Sequence, residues 1–86
     1  MNIKSEIEKT RDALQQQRDE LKVQIHLAKL EARDEWETTE HQFHTLESKL
    51  KDITMDASDA SREIAASAKQ LIDDIQAAYH RIRRHL

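Results

Sequence analysis

His41 and His44 lie three residues apart, with Glu37, Glu40 and Glu47 close by in the chain. On a helix that spacing puts both imidazoles on one face, which is how a metal site begins. A zinc site, however, takes three or four converging ligands steadied by a second layer of hydrogen bonds, and one helix here supplies two. The pair reads as solvent-facing within a charge-rich segment, and no metal or cofactor is assigned. The 17 Asp and Glu residues provide carboxylates throughout, yet a general acid needs an enclosed place in which its pKa can rise. The chain has no glycine and no cysteine. It therefore has no phosphate-cradling loop, nucleophile elbow, Cys-His pairing or thiolate site, and the expectation is a protein that is not an enzyme and has no catalytic residues.

Other groups point to binding. Trp36 stands on an apolar stripe among Glu31, Asp34, Glu35, Glu37 and Glu40; it is expected to pack in a seam opposite small alanines, the alternative being an anchor for a partner. The ending His80-Arg81-Ile82-Arg83-Arg84-His85-Leu86 is the one concentrated basic patch. Arg81, Arg83 and Arg84 are candidate contacts for an anionic partner, including a membrane surface with Ile82 and Leu86 inserting. The same cations also offset the dipole at a helix C-terminus. With 14 Lys and Arg closely interleaved among the acids and a net charge of -3, no broad basic field exists to hold nucleic acid.

The elements that must carry these residues are helices. Glycine and proline are both absent from 86 residues, whereas they normally make up about an eighth of a chain. Apolar residues run Leu21, Ile25, Ala28, Ala32, Trp36, Thr39, Phe43, Leu46, Leu50, Ile53, Ala57, Ala60, Ile64, Ala68, Leu71, Ile75, Ala78 or Tyr79, Ile82 and Leu86. Their mean spacing is about 3.6, that of an undistorted α-helix rather than the 3.5 of strict heptads. Upstream the stripe thins to Ile3, Ile7, Thr10, Leu14 and Gln17.

One segment departs from a plain rod. Thr54 to Ser61 is rich in Asp, Ser and Thr, which favour caps over helix interiors. Lys49 and Lys51 fall in the last turn of a helix ending near Ile53, and Asp56, Asp59 and Glu63 in the first turns of one beginning just after it, matching the dipoles of one helix ending and another beginning. Ser5 and Glu8 fit a capping box. The reading is an all-α, single coiled-coil domain over residues 1–86: a long antiparallel helical hairpin with a helix over 4–53, a turn over 54–58 and a second helix over 59–86. The alternative is one continuous helix of about 120 Å, at 1.5 Å per residue, in an oligomeric coiled coil. The hairpin register places His26 near His85, where protonation would set two like charges together.

In a hairpin the first 20 or so residues have no partner within the chain, so self-association follows, most simply a dimer forming a four-helix bundle. The seam is Leu21, Trp36, Phe43, Leu50, Ile64, Leu71, Ile75 and Ile82. The functional expectation is a non-enzymatic interaction or scaffold protein acting through that seam. The alternative is an amphipathic surface-binding protein in the manner of phasins or apolipoproteins, with its helices opened onto lipid or polymer. No stretch approaches the roughly 18 apolar residues of a membrane span, and the start lacks a secretory signal, so a cytoplasmic location is expected.

The stretch from Leu21 to Glu37, LKVQIHLAKLEARDEWE, resembles a segment of small uncharacterised bacterial coiled-coil proteins, and the likeness extends loosely to Ala78 through Arg83. The resemblance implies an all-α coiled-coil fold and a bacterial cytoplasmic origin. It carries over no activity, ligand or functional residue.

Overall fold

The computed structural model describes residues 3–53 and 59–86. They form α1 (Ile3–Gln24), one 3-10 turn (Ile25–Leu27), α2 (Leu30–Asp52) and α3 (Asp59–Arg84). The protein is all-α, with no strand among the described residues. Glu35 near the start of α2 pairs with Arg81 near the end of α3, so α2 and α3 run antiparallel. Glu20 near the end of α1 approaches Arg83, so α1 and α3 run parallel. The result is an up-down-up bundle of three helices measuring 44 × 18 × 16 Å.

This corrects both expected architectures. The helix over 4–53 is interrupted after Gln24, and the expected two-helix hairpin survives only as the α2–α3 half. The break needs no glycine: Ala28 (φ -80°, ψ 157°) and Lys29 (φ -66°, ψ 158°) are extended, a region open to any residue. The Ala28 N–H donates to the Ile25 carbonyl at 3.1 Å, and the Arg33 N–H to the Lys29 carbonyl at 3.1 Å, so the corner keeps part of its backbone bonding. What drives the bend is burial. Folded back, α1 buries Ile7, Leu14 and Leu21, and the 3-10 turn buries Ile25, each contributing about 1.5–3 kcal/mol at the upper bound. Two or three lost helical hydrogen bonds, at a net ~1 kcal/mol each, are the smaller term.

The α1 segment, expected to have no intramolecular partner, thus finds one in α3. Ser5 lies inside α1 rather than capping it. At the far end α2 closes at Asp52 and α3 opens at Asp59; the expected turn over 54–58 lies outside the described residues.

Because α3 is wedged against two helices, its buried face keeps most of the expected stripe and widens by one residue at two places, Ala65 beside Ile64 and Ile72 beside Leu71. Ala65, Ala68, Ile72, Ile75, Ala78, Tyr79 and Ile82 are buried, while Ile64 and Leu71 are only partly covered at the flank. On α2 the core is Ala32, Phe43, Leu46 and Leu50, followed by Ile53, with Thr39 buried among them. The Thr39 hydroxyl donates to the Glu35 carbonyl at 2.7 Å, which satisfies it within its own helix.

Candidate functional site

Of the expected seam, Leu21, Phe43, Leu50, Ile75 and Ile82 are buried inside one chain, and Trp36, Ile64 and Leu71 are half-buried against the same core. Trp36 stacks on Tyr79 with ring centroids 6.1 Å apart and an interplanar angle of 27°. It therefore packs within this chain, on Tyr79 and the core.

Around that stack lies a polar cluster joining all three helices. Arg18 donates from Nε to Glu40 Oε1 at 2.6 Å and from Nη2 to Glu40 Oε2 at 2.7 Å, a two-pronged bond between α1 and α2. Its guanidinium carbon lies 5.2 Å from the centre of the Phe43 ring, within cation–π range. The Glu40 hydrogen bonds hold the Arg18 pKa above its ordinary value, outweighing the lowering effect of burial. The Tyr79 hydroxyl is buried and has no hydrogen-bond partner among the described residues. Burial first, and the nearby Glu40 carboxylate second, raise its pKa, against the lowering effect of Arg18. Arg18 and Glu40 are taken up by each other, and Trp36 and Tyr79 by their stack. The cluster fixes how the helices align.

The basic ending divides. Arg81 is taken up by Glu35 on α2. Arg83 lies 4.0 Å from Glu20 on α1, a weak and exposed pair. Arg84 is exposed. Ile82, expected to insert into a membrane beside Leu86, is fully buried in the bundle. His26 and His85 do share one end of the molecule, and both are exposed. His41 and His44 are exposed on α2, and among the described residues no three potential metal ligands converge.

The surface that sequence reasoning missed lies at this same end. Val23 is 76%, Leu27 93%, Leu30 70% and Leu86 46% exposed. Val23, Gln24, Leu27 and Leu86 line a shallow hollow between the ends of α1 and α3. Lys22, Lys29, Arg33 and Arg84, within a few residues of this lining in the chain, are exposed and in no ion pair among the described residues. A signal existed: Val23, Leu27 and Leu30 are the apolar residues that the stripe through Leu21, Ile25, Ala28 and Ala32 leaves out. By contrast, a hollow along the bundle between α1 and α3 sets Glu6, Lys69, Asp73 and Gln76 around Ile7, Thr10 and Ile72.

No known family, curated protein or solved structure matches the chain. No described helix is long and apolar enough to cross a membrane.

Proposed function

We propose that the protein is a non-enzymatic helical interaction protein whose contact surface is the end of the bundle where α1 turns into α2. The observation that carries this reading is the cluster of Val23, Leu27, Leu30 and Leu86, exposed together on a chain in which 36% of residues are charged. Leucines left in water while smaller side chains fill the core mark a surface meant to be covered. The resemblance of Leu21 to Glu37 to small bacterial coiled-coil proteins, which spans this corner, supports a bacterial cytoplasmic setting.

The reading differs from a dimeric coiled-coil scaffold working through its seam. Such a dimer needs Leu21, Phe43, Leu50, Ile75 and Ile82 to be open, and each is closed within the chain. Self-association through the exposed end stays compatible with the reading, although it brings like charges together. The surface-coating alternative draws support from α3, whose apolar face runs from Ala65 to Ile82 and would spread on lipid if the bundle opened.

A photo-crosslinking residue placed at Leu27, with Ala66 in the exposed middle of α3 as control, tests the proposal in cells. Adducts from position 27 and none from position 66 are expected. Equal labelling at both positions, or none at either, would sink it.

A further inference from the structure

Residues 22–33 and 80–86 meet at one end of the bundle, where Arg81 is paired with Glu35 and Arg83 lies 4.0 Å from Glu20, while Lys22, Lys29, Arg33 and Arg84 are in no ion pair among the described residues and outnumber the remaining nearby acids, Glu31 and Asp34. The rest of the chain is correspondingly acidic, since the whole carries -3. The molecule is thus polarised along its long axis: a cationic end tipped with leucines, and an anionic body. Sequence order hides this, because the two basic segments are separated by nearly the whole of α2 and α3.

We infer that this end docks on an anionic phospholipid bilayer, with Leu27, Leu30 and Val23 entering the headgroup region and Lys22, Lys29, Arg33 and Arg84 lying among the lipid phosphates. The inference rests on the interaction reading above and names the partner class of the same surface. Shape favours a fluid surface over a folded partner. Val23, Leu27 and Leu30 stand 70–93% exposed and the hollow beside them is shallow, whereas a docking helix needs a groove of half-covered side chains. Charge favours lipid over a second copy: two such ends face to face oppose cation to cation. Apolar insertion combined with attraction to anionic headgroups is the general basis of interfacial binding. The acidic body, repelled by the same surface, leaves the bundle standing on its end with the core intact. Ile82 stays buried, and docking does not require the helices to open.

The full chain is mixed with vesicles of phosphatidylcholine alone and with vesicles containing one quarter phosphatidylglycerol, and sedimentation reads the bound fraction at 50 and 200 mM NaCl. Binding to the anionic vesicles, weakened by salt and absent on phosphatidylcholine, is expected. Removing two charges in Lys29→Gln/Arg84→Gln lowers the partition coefficient about 25-fold, the equivalent of about 1 kcal/mol for each charge. Leu27→Ser/Leu30→Ser lowers it at least tenfold. Because the replaced side chains are exposed, thermal melts of both variants stay within a few degrees of the parent protein, and circular dichroism is unchanged on binding. A rise in helicity with lipid, equal binding to both vesicle types, binding indifferent to the leucines, or no sedimentation at millimolar lipid would each overturn the inference. If vesicles fail while position 27 still crosslinks to a protein in cells, the lipid assignment falls and the interaction reading stands. If both fail, both fall.

Discussion

Tyr79 sets a hydroxyl where the described residues give it no partner, and the physical cost decides two outcomes. An unsatisfied buried polar group costs about 1–3 kcal/mol, so Tyr79→Phe is expected to be neutral or stabilising by up to ~1 kcal/mol in urea unfolding. The second outcome concerns pH. The folded-state pKa of Tyr79 is raised above the about 10 of a free tyrosine, so the neutral form is the one the fold prefers. The associated stability is complete below pH ~10 and is lost as pH climbs toward the higher folded-state value. Comparing urea midpoints at pH 8 and pH 11 isolates this residue, since lysine titration is common to both proteins. The parent chain is expected to lose more stability than Tyr79→Phe; equal losses would refute the assignment. Arg18 and Glu40 make a separate case. Glu40→Ala leaves a largely covered guanidinium over Phe43 without its carboxylate, at a cost of about 1–3 kcal/mol. A double-mutant cycle with Arg18→Met should show coupling, and additive effects would show the bond to be idle.

At the scale of elements, the corner at Ala28 and Lys29 separates this fold from a continuous helix more sharply than any core residue. Lys29 has φ -66°, the value proline imposes, and Ala28 before it is extended, as a residue preceding proline must be. The Lys29 N–H makes none of the backbone bonds found at the corner. Lys29→Pro is therefore expected to be neutral or to stabilise by about 0.4–1 kcal/mol through the unfolded state. In an unbroken helix it would cost ~3 kcal/mol or more. Thermal melting of this one variant distinguishes the two. The packing of α1 is tested by Leu14→Ala, which empties a fully buried position and should cost about 2–5 kcal/mol. Were α1 a projecting arm, the change would be nearly silent.

For the whole molecule, closing the seam within one chain has a hydrodynamic consequence. Sedimentation equilibrium at micromolar concentration is expected to return 10.1 kDa, and small-angle scattering to fit a body of 44 × 18 × 16 Å with a Cα radius of gyration of 14.0 Å. A particle near 120 Å long, as a rod of about 80 residues at 1.5 Å each requires, would overturn the bundle. The melting temperature should also be independent of protein concentration, because folding does not wait on assembly.

The sequence by itself determined that the chain is helical. The absence of glycine and proline and the 3.6-residue stripe leave no other economical way to bury Phe43, Leu46, Leu50, Ile75 and Ile82, and these lie in the core. Local chemistry could not show the corner at Ala28–Lys29, since both residues adopt ordinary negative φ angles and no side chain caps α2 there. The stripe runs through that point without a change of phase. Only tertiary packing decided it, because folding α1 back on α3 buries more apolar surface than the broken helical turn gives up. The same packing widened the buried face of α3 to Ala65 and Ile72, closed the seam expected to join two chains, and took Arg81 into an internal pair. It also gathered Val23, Leu27, Leu30 and Leu86 with Lys22, Lys29, Arg33 and Arg84 at one end. Residues more than fifty positions apart become neighbours there through burial and loop closure, which periodicity along a single helix does not encode.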